Sequence, residues 1–367
     1  MRPSLDRLPG IRPTRSDRAA ILRIVKTLAV AAVGGALFKE LHIPLAWMLG
    51  ALLFTGVGGR LIGPLDVPRT MRDTVVPVLG VLLGSGFTPE VLGHLGRWPA
   101  GLAAVLVYVV VSAIFGVLYF RLVVKFDPLT AFFSAIPGGL SDLTLLGASL
   151  GADLGRLALI HSMRIIVVVT TIPFGVRFLT GTSAVGPASA TAHGPFTAWD
   201  LVALVLCAAL GTFLGRKAGL PATPVLGPLL VSAAAHLAGL TAVVPPPWLV
   251  ILAQIVLGGY IGSRLSGMAG ATVRAALLHG LVWGVVLVVL AFAAALVTSR
   301  ASAIAFPSML LGIAPGGLPE MAVITLALNV DIAFVTVCHL TRIVAVYLIT
   351  PFGVRLGGWT IPARRKG

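Results

Sequence analysis

Residues 99–120 read PAGLAAVLVYVVVSAIFGVLYF and residues 278–299 read LHGLVWGVVLVVLAFAAALVTS, each twenty-two residues without a formal charge. Coiled as a helix, such a run is about 33 Å long at 1.5 Å per residue. That length matches a hydrocarbon core of about 30 Å. The rest of the chain has the same character: 11% of residues are charged, against roughly 25% in a soluble domain, and mean hydropathy is +1.03. An all-α polytopic membrane protein is the predicted fold class.

The net charge of +15 is read in that light. Its cations crowd into the two tails and into short connections, where basic residues hold a loop on the cytoplasmic side. No soluble stretch is long enough to build a basic nucleic-acid-binding face, so no direct nucleic-acid partner is expected beyond non-specific contact of the basic N-terminus. The apolar run from residue 27 has a counterpart in the second half, so it is read as part of the fold and not as a cleaved signal peptide. Cys207 and Cys338 both lie in apolar segments and suggest neither a disulfide framework nor a thiolate metal site.

The chain is written twice. PGGLSDLTLLGASLGADLGRLALIHSMRIIVVVTTIPFGVR (137–177) aligns without a gap to PGGLPEMAVITLALNVDIAFVTVCHLTRIVAVYLITPFGVR (315–355), with 15 of 41 positions identical. Asp153 meets Asp331, His161 meets His339, Arg164 meets Arg342 and Asp142 meets Glu320. Upstream, Gly80, Gly84 and Ser85 meet Gly258, Gly262 and Ser263. With one residue dropped, Pro44 and Gly50 meet Pro221 and Gly227. The predicted organisation is a basic tail (1–22), a first membrane unit (23–178), a Gly/Pro/Ser/Thr/Ala linker (179–197), a second membrane unit (198–356) and a second basic tail (357–367).

Each unit shows six apolar segments, and the fifth carries Pro-Gly-Gly at its middle. Proline removes a backbone donor and paired glycines favour non-helical backbone. Inside a bilayer such a break survives only when buried in protein or facing a cavity. If the fifth segment re-enters, each unit crosses five times and the second unit is inverted. Ten loop Lys and Arg residues, from Arg60 to Arg274, then share the N-terminal side, and four (Lys39, Arg97, Arg177, Arg300) lie opposite. Six crossings per unit would divide the same residues seven against seven. The positive-inside rule prefers inverted units, each of about five membrane helices plus a broken or re-entrant segment, with both termini cytoplasmic and the linker periplasmic.

Inverted repeats with paired broken segments point to a secondary-transporter site near the bilayer midplane. The candidate substrate-binding residues are Arg164, Arg342, Gly138, Gly139, Gly316 and Gly317. An arginine at membrane depth normally faces a partner or a water-filled cavity, and its planar fork suits carboxylate or phosphate. Two roles fit the pair: anion ligands, or structural partners of acids. Asp153, eleven residues before Arg164, is too far along the helix to pair with it directly. Asp153 and Asp331 precede long apolar helices and read as N-caps. Asp142, Glu320, His161 and His339 are the candidate ion-coupling residues. The acids follow the Pro-Gly-Gly turns, where they would take up a proton, hold Na⁺ or cap the next helix. The histidines lie three residues before the arginines, as proton relays or as hydrogen-bonded structural residues. Trp47, Trp199, Trp248 and Trp359 sit near segment ends, as in an interfacial aromatic belt. No metal site, P-loop or dinucleotide fingerprint stands in a suitable context, and no cofactor is expected.

The two PGGL…H…R…PFGVR blocks resemble those of the AbrB family, or AbrB duplication family, of bacterial membrane proteins, and the resemblance covers residues 25–356. It implies an inner-membrane protein with a duplicated domain, and it brings the labels "regulator of gene expression" and "ammonia monooxygenase". Three functions are consistent with these features. The foremost is a secondary transporter, not an enzyme, that moves a small anionic or polar metabolite with H⁺ or Na⁺. The second is a membrane protein acting indirectly on gene expression. The last is an oxygenase, which would need clustered His, Cys or carboxylate ligands. The architecture is analogous to that of dimeric symporters with re-entrant hairpins, and a homodimer is the corresponding expectation.

Overall fold

A computed structural model of the chain describes residues 15–138, 146, 147, 149–180, 197–266 and 271–356. Among the described residues there is helix and no strand. The first unit contributes α1 (Arg15–Glu40), α2 (Ala46–Leu61), α3 (Arg69–Ser85), α4 (Pro99–Leu118), α5 (Pro128–Ala135) and α6 (Leu154–Thr180). The second contributes α7 (Ala198–Lys217), α8 (Thr223–Leu237), α9 (Pro247–Ser266), α10 (Ala271–Ala301), α11 (Phe306–Ile313), α12 (Leu318–Ala327) and α13 (Ile332–Leu356).

Among the described residues, six helices are long and apolar enough to cross a membrane, namely α1, α4, α6, α7, α10 and α13. Their outward faces carry Val33, Val107, Ile114, Leu206, Phe213 and Val289, all exposed. So broad an apolar surface is a liability in water and an ordinary surface in lipid. The protein is a multi-pass membrane protein. The expected five long helices per unit are not uniform, however. Helices α2 and α8 have 16 and 15 residues, about 24 and 22 Å at 1.5 Å per residue. Their neighbours supply the reason they can be short. α2 packs between α1 and α9, and α8 between α7 and α3, so protein covers much of each.

The interior is built by exchange between the units. A Cβ on Gly258 of α9 would collide with the Met48 carbonyl of α2, and a Cβ on Gly80 of α3 would collide with the Val225 carbonyl of α8. These are corresponding contacts, made once in each direction. The pairing of α6 with α10 and of α4 with α13 repeats the exchange. Leu45 and Ala222, at the N-caps of α2 and α8, are both left-handed, with φ of 53° and 45°. An L-residue there is strained by about 1 kcal/mol, and both units carry the same strained turn.

Two groups of contacts mark the ends of α4. At its C-terminal end the Tyr119 hydroxyl lies 2.8 Å from His279 Nδ1 of α10, and the Arg156 guanidinium at the start of α6 sits 4.9 Å above the Phe126 ring. At its N-terminal end Trp98 packs on Phe334, at the start of α13, with ring centroids 6.0 Å apart. So α6 and α13 begin at opposite ends of α4.

Candidate functional site

Helix α5 stops at Ala135 and α11 at Ile313, each running into the Pro-Gly break. There Gly138 N–H donates to the Ile136 carbonyl and Gly316 N–H to the Ala314 carbonyl, both at 2.9 Å. These tight turns leave the carbonyls at the helix ends with capacity for further donors inside the packed interior. The two buried arginines supply them. Arg164 donates from Nη2 to the Gly138 carbonyl at 2.7 Å and from Nη1 to the Ile136 carbonyl at 3.4 Å. Arg342 donates from Nη2 to the Gly316 carbonyl at 2.5 Å and from Nη1 to the Ala314 carbonyl. A guanidinium fork spans two carbonyls at once, which a point-charge ammonium does not. The partners are therefore backbone carbonyls of each arginine's own broken segment, and no acid lies within salt-bridge distance of either arginine among the described residues.

His161 and His339 are fully buried one turn earlier on the same helices. Each faces a carbonyl of the first arm, Phe133 and Leu311 respectively, and neither ring makes a hydrogen bond of good geometry. They lie behind the arginines and do not line the cavity described next.

Glu320 stands in the first turn of α12, whose N-cap is Gly317. Its carboxylate folds back over Gly317, where an added Cβ would overlap Oε2. A negative charge at a helix N-terminus is favourable. Yet Glu320 is 5% exposed and its Oε2 has no hydrogen-bond partner.

These groups meet at one cavity of about 380 Å³. Its floor is formed by Gly138, Gly316, Gly317, Arg164, Arg342 and Glu320, and its walls by apolar side chains such as Ile165, Leu257 and Val346. Toward the mouth stand the more exposed Arg69, Arg72, Asp73 and Arg216, with the buried Tyr260 beneath Arg72. Arg69 and Arg72 share Asp73 at 3.5 and 3.7 Å. Arg72 and Arg264 both lie over the Tyr260 ring, at 5.3 and 4.8 Å from its centroid, and Arg264 Nη2 donates to the Tyr260 hydroxyl at 3.2 Å. Five arginines against two acids line the cavity, an excess of three positive charges. Low-dielectric walls focus such a field on anions.

Of the residues singled out from sequence, Gly138, Gly316, Gly317, Arg164, Arg342 and Glu320 come together here. Gly139 and Asp142 lie outside the described residues. Asp153 and Asp331 are elsewhere, each accepting at Oδ1 from the backbone N–H three residues on, from Arg156 at 3.0 Å and Phe334 at 2.9 Å. Asp331→Ala is expected to remove about 1 kcal/mol of stability, the usual worth of an N-cap, read as a lower melting temperature.

The residues of the mouth were not legible as a site. Subtracting 178 from Arg72, Tyr260 and Arg264, or adding it where the first unit is the source, leads to Val250, Leu82 and Gly86. Gly138 with Gly316 and Arg164 with Arg342 are written twice and Arg216 has a basic counterpart in Lys39, whereas Arg72, Tyr260 and Arg264 are written once and escape a comparison of the halves. The available signal was the cluster of loop cations, which orientation alone accounts for.

A family profile described as "Transition state regulatory protein AbrB" matches residues 47–357. The chain is 27% identical over 362 residues to "Uncharacterized protein YhjN" of Bacillus subtilis (strain 168), covering 92% of this chain and 93% of that one. It is 26% identical over 345 residues to "Putative regulator AbrB" of Escherichia coli (strain K12), covering 89% and 94%.

Proposed function

The chain belongs to the AbrB family, and from the arginine-lined cavity among its membrane helices we propose that this member is a secondary transporter of small anions. The observation that carries the reading is the clamp on the floor: two buried guanidiniums hold two backbone breaks beside a cavity of about 380 Å³. Backbone freed from helix within the membrane, facing a cavity at the join of two related units, is the usual construction of a transporter site.

The two units are read as inverted repeats and the broken segments as re-entrant hairpins. The opposite starting ends of α6 and α13 support the first. For the second, the Asp153 N–H donates to Thr130 Oγ1 at 3.0 Å, which holds the two ends of the first broken segment together. Ser308 and Asp331, the corresponding pair, line one small pocket at the other end. Inversion makes an access path in one unit imply a matching path on the opposite face. Here the open path is lined by Arg72, which is partly exposed. Its counterpart Val250 is 1% exposed and belongs to the packed interior. Such a one-sided opening over a two-fold floor is what one state of an alternating-access cycle requires. By the distribution of loop cations the mouth faces the cytoplasm of the inner membrane.

The regulatory names belong to the family profile and to the E. coli relative. In this reading an effect on gene expression is indirect, through the concentration of a transported metabolite. Among the described residues no three His, Cys, Asp or Glu side chains are placed to share a metal ion.

Purified protein in liposomes, given imposed pH and Na⁺ gradients and a panel of mono- and dicarboxylates, phosphate and sulfate, is expected to accumulate at least one anion. No uptake across the panel would overturn the reading. In cells, a single cysteine at Ser189, with Cys207 and Cys338 replaced by serine, is expected to react with an impermeant thiol reagent from outside. Protection until permeabilisation would make the units parallel. Reversing the mouth with Arg72→Glu is expected to slow anion entry about tenfold and to flatten its dependence on ionic strength, because steering of a charged ligand is screened by salt.

A further inference from the structure

We propose that the floor of the cavity takes a small hydroxycarboxylate, its carboxylate held by Arg164 and Arg342 and its hydroxyl donating to Glu320. This rests on the transport reading and names the substrate class of the same site.

The floor offers two kinds of partner and commits neither fully. Arg164 and Arg342 each place Nη1 and Nη2 on backbone carbonyls, and a guanidinium carries five N–H donors in all. Donors therefore remain on both, and Arg164 Nε has no partner. Glu320 supplies the opposite. Its Oε2 has no hydrogen-bond partner, and no arginine comes within 4.0 Å of the carboxyl among the described residues. Arg164 is 2% exposed and Glu320 5%, and both belong to the cavity lining. A polar atom left unpaired in a protein interior is costly. One ligand that reaches both atoms removes both costs.

The leftover atoms describe that ligand. A plain carboxylate or sulfate brings acceptor oxygens only, which serve the guanidiniums and offer Oε2 no hydrogen. An acid that also carries an O–H or N–H serves both sides of the floor. This holds in either protonation state of Glu320, because a carboxyl oxygen accepts a hydrogen bond whether the group is ionised or neutral.

Charge then selects between the two donors. Arg72, Arg164 and Arg342 all act through space on the Glu320 carboxyl. Even with Asp73 set against Arg72 at 3.7 Å, two guanidiniums remain against one carboxyl. An ammonium placed there is repelled by both, strongly so in a low-dielectric site. A hydroxyl is neutral and meets no such repulsion. The cavity of about 380 Å³ lies at the small end of the range of about 300–1,000 Å³ for small-molecule sites, which suits an acid of a few carbons.

The test uses the full chain in detergent at neutral pH, with binding read by calorimetry. The probes form two series, propionate with lactate and alanine, and succinate with malate and aspartate. Within a series the members differ only in bearing hydrogen, hydroxyl or ammonium on one carbon. In at least one series wild-type protein is expected to bind the hydroxy acid at least about tenfold more tightly than its parent, because a site built around a substrate hydroxyl is left unpaired without it. Glu320→Met, of similar length but with no acceptor oxygen, is expected to bind the hydroxy acid and its parent alike. Glu320→Gln keeps a carbonyl oxygen and is expected to retain the preference, which separates the hydrogen bond from charge and from loss of the fold. Equal binding of parent and hydroxy acid in both series overturns the assignment. So does tightest binding of the amino acid, or a preference that survives in Glu320→Met. Uptake of any anion into liposomes would then leave the transport reading standing. A hydroxy acid preferred in binding but absent from uptake overturns transport and keeps the ligand class. Failure of all six acids to bind, with no uptake in liposomes, removes both readings.

Discussion

Arg342→Lys is expected to abolish anion uptake into liposomes and to lower stability by about 2–4 kcal/mol. The charge is kept, so the effect isolates the fork. In the native protein two guanidinium nitrogens bridge the Ala314 and Gly316 carbonyls. A hydrogen bond involving a charged group is worth about 1.5–3 kcal/mol, and a buried acceptor left unpaired costs a further desolvation penalty. One ammonium group can serve one of the two carbonyls and has to choose between the turn and the ligand. Arg164→Lys is expected to behave in the same way, because the same two positions of the other break are bridged. Thermal unfolding in detergent and uptake in liposomes should be measured on the same preparation. If Arg342→Lys melts with wild type and still transports, neither the clamp nor its planar geometry is needed.

Gly258→Leu is expected to be the most disruptive substitution away from the cavity, at about 3 kcal/mol or more, because overpacking a tight contact forces the backbone to move. What a side chain meets there is the Met48 carbonyl and the start of the next turn of α2, and backbone does not rotate away as a side chain does. Gly80→Leu meets the Val225 carbonyl in the reciprocal contact and should lose a comparable amount. Gly93→Ala, where an added Cβ meets nothing within 4 Å, is the control and should remain within about 0.5 kcal/mol. The comparison is made by resistance to thermal unfolding. Equal melting of Gly258→Leu and Gly93→Ala would mean that the α2–α9 contact does not hold the two units together.

The membrane class was readable from a few segments, because an uncharged run of twenty-two residues has few alternatives to a hydrocarbon environment. The duplication was equally readable, and it picked out whatever the fold needs in both units: Arg164 with Arg342, the Pro-Gly breaks, the capping aspartates and the interlocking glycines. Duplication is blind to what is needed once. Arg72 and Tyr260 correspond to Val250 and Leu82, so this part of the cavity lining left no second copy to compare. Its cations looked like orientation signals because a loop arginine that fixes topology and one that guards an anion path are the same letter.

The partners of the buried arginines show the same limit more sharply. In sequence, a membrane-depth arginine invites a search for an acid, and acids stand nearby at Asp153 and Asp142. The groups that hold Arg164 are the carbonyls of Ile136 and Gly138, 28 and 26 residues earlier. Every residue has a carbonyl, so no residue type announces one that is short of a donor. By itself the sequence determined that this chain is helical, lies in a membrane, and carries two similar PGGL…PFGVR blocks that set paired polar groups beside paired breaks. Only the tertiary structure decided that those arginines clamp the breaks and that Glu320 is buried with an oxygen to spare. Each of these depends on which backbone groups the packing leaves unsatisfied, and that is a property of the assembled helices.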